Sequence, residues 1–197
     1  KHFGRNFQKV KKGFNSQGVA KHFSMAYRHV PQIFHLLKKR GITDLTINPP
    51  KDFVCTPIPE KSTMVEAEKF TSQSGGKVRV RYDKIGADIS LSHWSAPGHT
   101  LVWKLNNAPG RYKIILRCAT NKNGAARMIR VNGKICGETI LPSTGGLGDN
   151  EFQWHTFYLR DKNGKDIILD LPENAELSME VVKESVNPDR FYLVKID

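Results

Sequence analysis

The chain has 197 residues, 39% hydrophobic and 25% charged, with a mean hydropathy of -0.46, the profile of a soluble globular protein and not of a disordered or membrane-spanning one. No stretch approaches the ~20 apolar residues that a transmembrane helix needs, which excludes membrane insertion by helices. With 31 Lys/Arg against 19 Asp/Glu, a net charge of +12 and a pI near 9.7, the chain favours anionic partners, whether nucleic acid, acidic polysaccharide or an acidic protein face, without choosing among them.

The charge is concentrated at the start. Residues 1–60 carry 11 Lys/Arg against Asp44, Asp52 and Glu60. Residues 1–13 are basic and turn-rich. Val19, Phe23, Tyr27 and Val30 then recur at helical spacing after Asn15 and Ser16, either of which can cap a first turn, and predict a helix at about 16–29. Pro31 suits the start of a second helix, Lys38, Lys39 and Arg40 complement its C-terminal dipole and Gly41 ends it, predicting a helix at 31–40. Residues 1–47 thus read as a short helical N-terminal segment, the tail of an upstream domain. Pro49, Pro50, Pro57 and Pro59 mark a linker over 48–62. The chain opens on Lys1 with no signal-peptide pattern, as expected of a processed product or a piece of a longer protein.

From Thr63 the pattern changes to short β-rich runs: 65–70, 77–82, 89–92, 99–105, 111–120, 126–131, 134–141, 152–159, 166–171, 177–182 and 191–196. Asn107-Ala108-Pro109-Gly110, Asn121-Lys122-Asn123-Gly124, Asn132-Gly133 and Lys162-Asn163-Gly164 punctuate them with residues that take positive φ at low cost. So many strands with no helical period between them predict a mainly β domain over 63–197, an antiparallel β-sandwich of jelly-roll type. The three cysteines, Cys55, Cys118 and Cys136, form neither a disulfide framework nor a zinc motif. A bridge between Cys118 and Cys136 stays open beside the reading of both as small core residues.

Catalytic signatures are missing. The chain has no G-x-S-x-G, no phosphate-binding G-x-x-x-x-G-K-[ST], no H-E-x-x-H and no dinucleotide fingerprint between a strand and a helix. The more informative constellation is Glu66-Ala67-Glu68 in the first β run, where alternate residues share a face and both carboxylates project together. Two like charges held so repel unless a cation or an arginine joins them. Calcium with oxygen ligands is one solution, and two solvated carboxylates on an outer face are the other reading.

The ordered set Val65-Glu66-Ala67-Glu68, Ala108-Pro109-Gly110-Arg111-Tyr112 with the strand after it, Val131-Asn132-Gly133, Leu141-Pro142-Ser143-Thr144-Gly145-Gly146, Trp154 and Asn187-Pro188-Asp189 resembles carbohydrate-binding module families 6 and 35. The likeness runs over residues 64–197. It implies a β-sandwich with a structural Ca2+ that binds a polysaccharide or oligosaccharide without cleaving it. It also implies a monomer, secreted or at the cell surface, attached to a polysaccharide-processing catalytic domain.

Carried over residue by residue, the resemblance makes Glu66, Glu68 and Asp189 calcium ligands and Asn187 a sugar hydrogen-bonding residue at the rim of a loop-end cleft. Trp94 becomes an aromatic platform for a sugar face, with a core tryptophan as the other reading. Trp103 and Trp154 lie in alternating apolar runs and are expected in the core. The chain departs from the families' pattern at Leu147, where a second aromatic wall is usual, and at Pro188. With one wall gone, Lys77, Arg79 and Arg81, at alternate positions of one run, suit an acidic glycan, unless they are an ordinary solvated face. The rival function is a nucleic-acid- or protein-binding adaptor that uses the basic N-terminal helices, with the sandwich as scaffold.

Overall fold

A computed structural model of the chain describes residues 51–82, 87 and 89–196; the predicted helices at 16–29 and 31–40 lie outside the described residues. Among the described residues there are twelve strands: β1 (Thr63–Glu66), β2 (Ser72–Ser74), β3 (Arg79–Arg81), β4 (Ser90–Ser92), β5 (Thr100–Lys104), β6 (Gly110–Ala119), β7 (Ala125–Val131), β8 (Lys134–Leu141), β9 (His155–Tyr158), β10 (Leu169–Leu171), β11 (Glu176–Lys183) and β12 (Asn187–Lys195). One sheet runs β1-β12-β6, with β9 and β10 along the far edge of β6. The second runs β2-β5-β11-β7-β8, and β3 and β4 form a separate pair. Every pairing between these strands is antiparallel, and the predicted β-sandwich is the fold observed.

The core lies between the two sheets. Alternate residues of β6 and β12 (Tyr112, Ile114, Leu116, Cys118, Phe191, Leu193) meet those of β5, β7 and β11 (Leu101, Trp103, Ile129, Leu177, Met179, Val181), all buried. Period-two side-chain alternation turns one face of each sheet inward, so these positions are what the sequence pattern specifies most strongly. The Asn132-Gly133 turn joins β7 to β8 with both residues at positive φ, 49° and 79°, as a two-residue hairpin requires. Cys55, Cys118 and Cys136 are all free thiols, which closes the question of a Cys118–Cys136 bridge, and burial pushes the Cys118 thiol up to about 12.

Two expectations change. The run at 65–70 is not one strand: β1 ends at Glu66 and a 3-10 turn follows over Ala67–Lys69. Fully buried Ala67 lets the backbone sink into the core, where the Trp103 indole donates to the Ala67 carbonyl at 3.0 Å. Glu66 and Glu68 therefore do not share a strand face.

Residues 53–56, inside the Pro-rich stretch, lie parallel to β9. Thr156 N donates to the Val54 carbonyl at 3.0 Å, Thr56 N donates back to the Thr156 carbonyl at 3.3 Å, and the two threonine hydroxyls exchange bonds with each other's carbonyls. The Phe53 ring stands edge-on to His155 and Phe152, at 5.1 and 5.7 Å between centroids.

Candidate functional site

At one end of the sandwich four connecting segments are laced together. The Trp94 carbonyl, just past β4, accepts from Val186 N at 3.4 Å. Ser185, beside Val186 in the β11–β12 turn, accepts from the Thr120 hydroxyl at 2.7 Å. Thr120 and Thr144 join the β6–β7 and β8–β9 connections by two 2.8 Å bonds, Thr144 N to the Thr120 carbonyl and Thr120 N to Thr144 Oγ1. Asn187 Nδ2 completes the lacing by donating to the Leu147 carbonyl at 2.9 Å. Connections supply the variable surface of a sandwich while the sheets hold them in place, and here cross-bonds replace the freedom that such connections usually keep.

Arg127 lies beneath this end with its side chain fully buried. Its guanidinium donates to the carbonyls of Ala126, Lys183, Glu184 and Trp94, and it sits 4.4 Å from the centre of the Trp94 ring. Burial lowers its pKa to about 10, which leaves it cationic at neutral pH. A guanidinium without a carboxylate partner is tolerated because carbonyl dipoles and an aromatic face share its charge.

The expected ligand-binding residues divide. Trp94 is fully buried, its edge against Trp103 at 6.4 Å between centroids and its indole N–H donating to the His99 carbonyl at 3.0 Å. It is a core tryptophan and not a sugar platform: the left-handed backbone at His93 ends the strand geometry of β4, and past it His93 is exposed while Trp94 is buried. Asn187, 3% exposed, is a strut between two connections, with its amide nitrogen donating to the Leu147 carbonyl. Trp103 and Trp154 are core residues, as expected.

Lys77 and Arg79 are exposed and Arg81 is half-buried. The β3–β4 register sets Arg79 opposite Ser92 and Arg81 opposite Ser90, so Arg79 lies at the Ser92–His93 corner while Arg81 runs away from it.

His93 is the residue that the sequence reading passed over. Its ring is exposed, its backbone holds φ 64°, and Ser92 Oγ lies 3.0 Å from its Nδ1 and 3.4 Å from the Arg79 carbonyl. A non-glycine residue in the left-handed region costs energy and is found disproportionately at functional sites. No signal in the sequence marks it, because Ser90, Leu91 and Ser92 are all buried and the exposure of His93 follows from its left-handed backbone.

The carboxylates come next. Asp189 sits where the β12–β6 register shifts between Pro188 and Arg190, and this bulge turns its side chain into a fully buried position. Arg117 Nη1 donates to its Oδ2, as does Arg190 Nε at 3.0 Å, and Arg190 Nη2 lies 3.3 Å from Oδ1. Arg190 Nη1 is also 3.8 Å from Glu66 Oε1. Burial alone would lower the Arg190 pKa, but the hydrogen bonds and charge of Asp189 and the charge of Glu66 outweigh it and the net shift is upward.

Glu68 Oε2 is buried with no hydrogen-bond partner among the described residues. In donor chemistry the set fits calcium: three carboxylates, one with an orphaned buried oxygen of the kind that a hard cation satisfies. In arrangement it is not gathered, since no three His, Cys, Asp or Glu side chains among the described residues converge as a metal site.

No family model and no curated protein sequence matches this chain. Solved structures do. The C-terminal family 6 carbohydrate-binding module of LamC, a marine laminarinase from Zobellia galactanivorans, superposes with a TM-score of 0.54 at 16% identity, over 68% of this chain and 99% of that one. A family 35 module from Clostridium thermocellum gives 0.54 at 17% identity, over 68% and 98%. CsCBM6-3 from Clostridium stercorarium, solved in complex with cellobiose, gives 0.52 at 17%, over 68% and 94%. The chain therefore has the β-sandwich fold of the family 6 and family 35 carbohydrate-binding modules.

Proposed function

We propose that the sandwich is a non-catalytic glycan-binding module that takes an acidic glycan at the corner formed by His93, Arg79 and Lys77. The observation that carries this reading is the laced loop end, where an exposed imidazole on left-handed backbone follows Ser92, the residue that stands opposite exposed Arg79 in the β3–β4 register, with exposed Lys77 two residues before Arg79 in the chain. Two features point to an acidic ligand. No aromatic wall faces the corner from Trp94 or Leu147, which leaves hydrogen bonds and charge to do the binding. Arg127 adds a buried cation beneath the same surface, and its field is little screened there.

In this reading calcium, held by Glu66, Glu68 and Asp189, supports the fold and not the chemistry of recognition. The module works at the cell surface or outside the cell as an accessory to a polysaccharide-processing domain. No helix among the described residues is long and apolar enough to cross a membrane.

Affinity electrophoresis in gels carrying polygalacturonate or a neutral glucan tests the proposal. The wild-type chain should be retarded by the acidic polymer and little by the neutral one, and Arg79→Gln with His93→Ala should lose the retardation while keeping the wild-type melting temperature. Retention by neither polymer, or by the acidic polymer equally in wild type and variant, would remove the proposed corner.

A further inference from the structure

We propose that Glu184, in the β11–β12 turn, is a second recognition residue whose carboxylate accepts hydrogen bonds from sugar hydroxyls, which narrows the acidic glycan to one built of uronic acids with free hydroxyls. The inference rests on the glycan reading above.

Among the described residues, four other than glycine hold positive φ: His93, Asn132, Asn174 and Glu184. Asparagine and histidine are enriched in left-handed backbone and glutamate is not, so Glu184 holds its φ of 62° at an energetic cost, as residues at functional sites disproportionately do. Arg127 braces this corner. Its Nη1 donates to the Lys183 and Glu184 carbonyls at 3.1 and 3.2 Å, while its Nη2 donates to the Trp94 carbonyl at 2.9 Å. The Trp94 carbonyl also accepts from Val186 N at 3.4 Å. One fully buried guanidinium thus joins the turn that carries Glu184 to the residue that follows His93, and the two left-handed corners are neighbours.

Glu184 is exposed, and its carboxylate makes no hydrogen bond or ion pair among the described residues. Lys183, next to it, extends over Gly124 in the β6–β7 connection, its Nζ 3.5 Å from where a Cβ would stand there. An ionised carboxylate accepts and never donates, so it holds hydroxyls by charge-assisted bonds and repels a second anion. With His93 and Arg79 on one side and Glu184 on the other, the loop end offers donors for a carboxylate and an acceptor for hydroxyls. A uronic acid carries both groups on one ring, whereas a fully sulfated sugar presents anions alone.

Calorimetric titrations of the whole chain with oligogalacturonate, and with the same oligomer O-acetylated at its ring hydroxyls, test this. Glu184→Gly removes the carboxylate and keeps the turn, since glycine takes this φ without strain, so its melting temperature should hold. It should bind oligogalacturonate about tenfold more weakly than the wild type, the usual loss for one hydrogen bond to a charged group. Acetylation should weaken binding to the wild type by a similar factor and weaken Glu184→Gly no further. Equal or tighter binding by Glu184→Gly, or the same acetylation loss in both proteins, would overturn the role of Glu184 and leave the glycan reading standing. No binding of oligogalacturonate by the wild type would overturn both. If Glu184→Gly does not fold, Glu184→Asn, which suits left-handed backbone with a shorter, uncharged side chain, decides by the same comparison.

Discussion

A tryptophan ring with a guanidinium 4.4 Å from its centre and a second tryptophan against its edge is part of the core, and removing it leaves a hole. Trp94→Ala should cost about 3–5 kcal/mol of stability, the usual range for deleting a buried aromatic, and thermal melting will register this before any binding assay does. The resemblance made the tryptophan a surface platform, whereas the exposed residue is its neighbour His93. Period-two alternation could not have corrected that, because Ser90, Leu91 and Ser92 are all buried.

Asn187 shows the same limit: its place at the loop end was legible, whereas its bond to the Leu147 carbonyl is a contact 40 residues away in the chain. Two histidines carry a pH dependence. Burial, and then the charge of Arg127, lower the pKa of His99 from 6.5, and burial lowers that of His155 against the opposing pull of its bond to Phe152 and of Asp52. The folded state therefore prefers both rings neutral. Their contribution to stability is complete above the unfolded value of 6.5 and is lost as pH falls from there through the folded values. Melting temperature should decline across that window, and His155→Gln should flatten part of the decline.

Among the elements, the segment at 53–56 most changes the view of how the module is built. Its prolines at 49, 50, 57 and 59 announce a linker, and by composition they do. Between them Val54 and Thr56 supply the backbone bonds that close the β9 edge, and Phe53 packs on His155, whose Nδ1 accepts from Val54 N at 3.4 Å. An uncovered strand edge is a hazard that folds usually manage by covering it. A chain starting at Thr63 should therefore melt lower and aggregate more readily than one starting at Lys51, and Phe53→Ala in the full chain should reproduce about 1–2 kcal/mol of the loss, since the ring is only half-buried. Denaturant melts of the three proteins measure this directly.

The strands of the core were legible because apolar alternation and Asn-Gly turns act locally. β2, a Ser-Gln-Ser edge strand, was not, because nothing in its composition distinguishes it from a loop and only β5 makes it a strand. The 3-10 turn after Glu66 was hidden for a similar reason: its Ala67 carbonyl is taken by the Trp103 indole, distant in sequence.

At the scale of the whole molecule, the sandwich provides two sheets whose connections are cross-bonded at one end, above buried Arg127 and with Arg79 exposed opposite Ser92. The excess of positive charge in residues 1–60 adds a long-range attraction for polyanions that salt screens, whereas contacts at the braced corner are specific in place. Retention by an acidic glycan should therefore weaken with rising salt, and variants of the corner should lose binding at every salt concentration.

The most direct measurement is an NMR titration of the full-length chain with oligogalacturonate, following backbone amides residue by residue. Glycan recognition at the loop end predicts saturable shifts concentrated at Lys77, Arg79, Ser92, His93 and the Thr144–Leu147 connection. Saturable shifts confined to the outer faces of the sheets or to residues 1–50, with the His93 corner unmoved, would contradict it.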